Sequence, residues 1–140
     1  MTREDGLGRR GWRLVPAAVL VLSGLAAGCS STPAYCTAGS QLKTSVHNLG
    51  NVNVAKNGLG SLQTALSKVQ ASARTFASDA KSAFPSQTTA LNSSLASLAA
   101  AIKSAQGQPP LTAAAAVVSS VTAVKNAASN LQNALSAKCQ

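Results

Sequence analysis

Few residues in this chain are equipped for chemistry. There are three cysteines, Cys29, Cys36 and Cys139, one histidine, His47, and three carboxylates, Glu4, Asp5 and Asp79. General acid–base catalysis needs a positioned carboxylate, imidazole or similar group. From residue 29 onward the chain offers one Asp, no Glu and one His. A pair of carboxylates for glycoside hydrolysis is therefore excluded within that part of one chain. A Ser-His-Asp set would have to use His47 and Asp79. Asp79 falls on a predicted solvent side, and no nucleophile motif surrounds the many serines. Zinc usually takes four ligands, and His47 is the sole imidazole. The cysteines lack Cys-x-x-Cys spacing, which argues against a redox-active pair. Gly58-x-Gly60 follows no strand, so it reads as a turn or a weak helix start and not as a phosphate loop. His47 lies one position off the nearest apolar stripe and reads as a surface or boundary residue. The expectation is a non-enzymatic protein with no catalytic, cofactor-binding or metal-binding residues.

The N-terminus reads as an address. Arg3, Arg9, Arg10 and Arg13 precede an apolar run from Leu14 to Gly28. That run is too short to span a bilayer comfortably and suits a signal-peptide core. No uninterrupted apolar run reaches the roughly 18 residues of a transmembrane helix, which excludes a polytopic membrane protein. The run ends Leu25-Ala26-Ala27-Gly28-Cys29. This resembles the lipobox of bacterial lipoproteins. The resemblance implies a diacylglyceryl group on the Cys29 sulfur, cleavage before Cys29 and often acylation of the new amino terminus. The family's Leu usually stands three residues before the Cys, a place held here by Ala26. A non-lipidated signal peptide cleaved near Ala27 and an uncleaved anchor are the other readings, and the short run counts against the anchor. Arg9-Arg10-Gly11-Trp12-Arg13-Leu14 loosely resembles a twin-arginine export motif, although an ordinary basic n-region explains the same arginines. The implied division is a signal peptide over 1–28, a lipidated linker over 29–35 and a folded domain over 36–139. The implied location is extracytoplasmic, anchored to the cell membrane by lipid.

Export changes the reading of the other two cysteines. In an oxidising compartment an even pair reads as a disulfide. Joining Cys36 to Cys139 closes a loop of about 100 residues and stabilises by roughly 4–5 kcal/mol in the chain-entropy treatment. A small core made largely of Ala needs such support.

The elements between them are helices. Apolar residues recur at alternating spacings of three and four. One run is Val52, Ala55, Leu59, Leu62, Leu66, Val69, Ala73, Phe76, Ala80, Ala83. Others are Leu91, Leu95, Leu98, Ile102, Ala105, then Ala114, Val117, Val121, Val124, Ala128, Leu131, Leu135. Leu42, Val46 and Leu49 make a short one. Such spacing lays one apolar stripe along each helix, as in bundle seams. Pro85, with Ser86 as a possible cap, and Gly107-Gln108-Pro109-Pro110 break the pattern. Gly50-Asn51 and Asn57-Gly58 both signal the first turn, and the spacing leaves the choice open. Four helices follow, near 35–50, 53–83, 86–106 and 110–138. Short connections make neighbours antiparallel. Four antiparallel helices return the last terminus to the first, which brings Cys36 beside Cys139. The expected fold is an all-α, antiparallel up-down four-helix bundle with its termini tied by a disulfide.

Without residues 1–28 the chain carries Lys43, Lys56, Lys68, Arg74, Lys81, Lys103, Lys125 and Lys138 against Asp79, a net +7. Such a surface attracts polyanions at low salt. Export and the absence of interleaved aromatics argue against nucleic acid. The remaining partners are anionic lipid headgroups and wall polymers, and lysines also simply solubilise an Ala-rich surface. This part is similar to small secreted helical proteins of high-GC Gram-positive bacteria that lack an assigned function, and that similarity implies no activity. The leading expectation is an envelope lipoprotein whose bundle is a binding or structural module. The second is a carrier holding a lipid or small apolar ligand between its helices.

Overall fold

The structure, a computed structural model, describes residues 32–80 and 82–140. The expected signal peptide over 1–28, Cys29 with the lipobox-like residues before it, and Lys81 lie outside the described residues. The described chain forms four helices: α1 (Ala34–Gly50), α2 (Val54–Ala80), α3 (Pro85–Ala105) and α4 (Pro110–Ser136). No strand occurs among the described residues. Consecutive helices pack together, α4 closes the ring against α1, and α2 also touches α4 across the middle. This is the up-down four-helix bundle that the stripes and the cysteine pair imply. Among the described residues the core cluster runs from Ala38 to Leu135.

The turns follow from local chemistry. Both first-turn signals are used. Asn51 ends α1, its N–H donating to the Asn48 carbonyl while the Val52 N–H donates to the Leu49 carbonyl. Asn53 then starts a new turn, its Oδ1 accepting from the Lys56 N–H at 3.0 Å, which satisfies a donor that the helix start leaves free. Gly58, at φ 76 and ψ 172, redirects the backbone before the long body of α2 begins. That conformation is open essentially to glycine alone. Pro85 and Pro110 each occupy the first turn of their helix, where a missing N–H costs nothing. Ser86 is no cap. Phe84 holds the capping position without a side-chain bond, and the Ser86 hydroxyl donates to Gln87 Oε1.

The stripes bury as read in α1 and α3: Leu42, Val46, Leu49, Leu91, Leu95, Leu98, Ile102 and Ala105 are all buried. In the second stripe Val52 and Leu59 are half-buried, and two further positions depart outright. Ala55 is exposed and Val54 buried, because the kink at Gly58 changes the phase of the first turn. Ala83 is exposed, because α2 ends at Ala80, and Phe84 folds inward instead. In α4 the buried position near the start is Ala113, while Ala114 and Val121 are half-buried. Polar side chains stay out of the core: among the described residues no polar or charged one is buried. Two polar links cross between helices at its margin, Ser45 to Ser72 through their hydroxyls at 2.8 Å and Gln132 Nε2 donating to the Gly39 carbonyl at 2.9 Å.

Candidate functional site

The two ends of the bundle are built differently. At one end α1 begins and α4 finishes, and Cys36 and Cys139 are joined there with their Cα atoms 5.8 Å apart. The chain's only tyrosine and its two phenylalanines gather at the same end. Tyr35 meets Phe84 edge-on, ring centroids 5.4 Å apart, and Phe84 meets Phe76 at 5.9 Å. Such pairs add about 0.5–1.5 kcal/mol beyond the area they bury. A covalent bridge and an aromatic cluster therefore close this end.

His47 and Asp79 do not meet. His47 is exposed in the last turn of α1, and its Nδ1 accepts from Asn51 Nδ2 at 3.1 Å. Asp79 is exposed near the end of α2, which runs the other way. They stand at opposite ends of the bundle and form no triad with any serine of the same chain. No group of three His, Cys, Asp or Glu side chains is placed to hold a metal among the described residues.

The other end is open. A cleft of about 560 Å³ lies between the α1–α2 turn and the first half of α4. Its cause is a difference in helix length. α1 has 17 residues and α4 has 27, so at 1.5 Å per residue α4 is longer by about 15 Å. The alignment is fixed by Gly50, against which the Lys125 side chain lies. A Cβ at Gly50 would sit 3.2 Å from Lys125 Cδ. Beyond that level α4 continues toward its start with no α1 beside it. Val52 from the turn, Val54 from the start of α2 and Val117, Val118 and Val121 from α4 line the cleft, with Asn51, Asn53, Thr122 and Lys125 as its polar residues. Leu111 and Val118, 76% and 59% exposed, are the large apolar side chains that stand exposed among the described residues. By length and composition alone α4 is apolar enough to cross a membrane. In the bundle, part of that apolar surplus lines the cleft.

Lys125 also borders a second cleft, of about 250 Å³, between α1 and α4, together with Lys43, Val46, His47 and Ala128. Neither cleft is lined by an acidic side chain. Sequence reasoning found the cysteine pair and did not find these clefts. The available signals were a fourth helix much longer than the first and a run, Ala113–Val118, too apolar for a single stripe. No protein family matches the chain, and no curated protein and no solved structure matches it.

Proposed function

We propose that this is an envelope lipoprotein, tethered outside the cell membrane by a lipid on Cys29, whose four-helix bundle is a non-enzymatic binding module. The observation that carries the reading is the polarity of the bundle. Helix α1 begins at Ala34, five residues after Cys29. A tether there holds the molecule by the end that the Cys36–Cys139 bridge closes, and leaves the open cleft at the far end, lined by polar and apolar side chains alike, for a partner. A chain with seven cationic side chains exposed on its described surface and one acidic one favours anionic partners at an envelope. The scarcity of acid–base groups and the separation of His47 from Asp79 support binding over turnover.

The carrier alternative draws on the same cleft. A ligand held there would lie in a surface trough and not inside the core, which is packed with Leu, Val and Phe side chains.

Fractionation of cells making the Cys29→Ser protein tests the tether. The wild type is expected in the membrane fraction, and the variant in the medium or as unprocessed precursor. Unchanged membrane fractionation of the variant would overturn the reading.

A further inference from the structure

The smaller cleft, between α1 and α4, carries a line of donors. Lys43 and His47 stand four residues apart on α1 and Gly50 follows three residues later, so the three positions share one face of the helix. Gly50 brings no side chain. The Lys125 stem reaches across from α4 into that space, its Cδ 3.2 Å and its Nζ 3.7 Å from where a Cβ would stand. This packing sets the Lys125 ammonium level with Gly50. A cation, an imidazole and a second cation therefore follow one another along the groove, at axial steps of about 6 and 4.5 Å. His47 Nδ1 accepts from Asn51 Nδ2, which leaves the ring proton on Nε2. Ser129 and Asn133 add a hydroxyl and an amide on the α4 side, and the buried Val46 and Ala128 lie beneath. Cations along a cleft with low-dielectric walls focus the field between them. No acidic side chain lines this groove. The clefts between α2 and α3 hold one cation each, Lys103 and Arg74, so the α1–α4 groove concentrates charge that the rest of the surface spreads.

We propose that this groove binds a linear chain of linked phosphates, laid along α1 from Lys43 past His47 to Lys125. The proposal rests on the binding-module reading above and names the class of its partner. A single phosphate is shorter than the row, and the Lys125 ammonium, packed at the level of Gly50, stands at its far end from Lys43. Phosphates joined through shared oxygens repeat at intervals shorter than either step, so each donor meets one in any register. Carboxylates on one edge of an extended peptide recur every second residue, about 7 Å apart, which is longer than both steps. A single-stranded nucleic acid calls for aromatic platforms beside its backbone groove. Here Tyr35, Phe76 and Phe84 are gathered at the bridged end instead.

His47 is the chain's one histidine. Its ring signals in protein carrying isotope-labelled histidine therefore report this groove, and not polyanion held by the N-terminal arginines. Magnetic-resonance titration of the full chain, disulfide intact, tests the proposal at about 0.15 M salt, where distant surface charges are largely screened. A short linear polyphosphate is expected to move the ring signals saturably, and inorganic phosphate to bind at least about tenfold more weakly, because it cannot engage both ends of the row at once. Lys43→Gln and Lys125→Gln are each expected to weaken polyphosphate by about three- to tenfold. Lys68→Gln and Lys103→Gln, away from the groove, are expected to stay within about twofold. Gly50→Leu keeps every charge but fills the space of the Lys125 stem, and is expected to weaken binding by at least about threefold. Unchanged helical spectra establish that the variants fold. Ring signals that polyphosphate leaves in place would overturn the proposal, as would equal losses from all four lysine variants or an unaffected Gly50→Leu. So would affinity for inorganic phosphate, polyglutamate, single-stranded DNA or anionic vesicles equal to that for polyphosphate. Fractionation of Cys29→Ser reads the tether by itself, so failure here removes the phosphate chain and leaves the anchor.

Discussion

Gly58 and Gly60 stand two residues apart and do opposite things. Gly58 holds φ 76 and ψ 172, a backbone region that costs a side-chain-bearing residue about 1–3 kcal/mol. Gly60 sits in the helix that follows, and an added Cβ there meets nothing within 4 Å. In a helix interior glycine is worse than alanine by roughly 0.5–1 kcal/mol. Gly58→Ala is therefore expected to lower stability and Gly60→Ala to raise it. Urea midpoints at unchanged m-value read both effects. Two shifts of the same sign would contradict the kink at Gly58. The spacing Gly58-x-Gly60 announces a break, but not that only one of the pair makes it. That depends on the earlier stop at Asn51 and on the Asn53 cap, which fix where the chain must turn.

Helix existence and facing were legible wherever one stripe met one partner surface. Leu91, Leu95, Leu98 and Ile102 lie in the groove that α2 and α4 offer to α3, and the three-four spacing finds them all. The stripe failed where the element broke or lost a neighbour. Val54 replaces Ala55 because the turn before Gly58 is out of phase with the helix after it. Phe84 is buried from outside any helix, carried in by the turn ahead of Pro85 and held by Tyr35 and Phe76. In the first half of α4 there is no α1, so burial moves to Ala113 and Val117 while Val118 and Val121 are left to the cleft. Packing tests the assignment directly. Leu66 and Leu98 are 6% and 0% exposed, and truncating a buried Leu costs about 2–5 kcal/mol. Leu66→Ala and Leu98→Ala are expected to lower the melting temperature clearly. Lys68→Ala and Lys125→Ala, on exposed positions, are expected to stay within about 0.5 kcal/mol of the wild type. Equal damage from the two classes in thermal melts would contradict the stripes.

At the scale of the molecule, the sequence carried the cysteine pairing because it carried the helix count. An even number of antiparallel helices returns Cys139 to Cys36, whatever the details of the turns. The cleft was hidden, because it depends on where α1 stops relative to α4, and two equally good turn signals left that open. The bridge spans 103 residues of sequence and is worth about 4–5 kcal/mol by loop closure, a large share of the roughly 5–15 kcal/mol that a domain of this size holds. Reduction of residues 30–140 is thus expected to lower the circular-dichroism melting temperature markedly, and an unchanged melt would contradict the bridge as the bundle's main clasp. The central proposal is a lipid on Cys29 that tethers a bundle whose termini are bridged from Cys36 to Cys139. Intact-mass and peptide mass spectrometry of the protein taken from bacterial membranes tests it most directly. The account predicts a mature chain that begins at Cys29 and carries diacylglyceryl mass, with Cys36 and Cys139 linked before reduction. A chain beginning elsewhere, a Cys29 without lipid, or Cys36 and Cys139 as free thiols would contradict it.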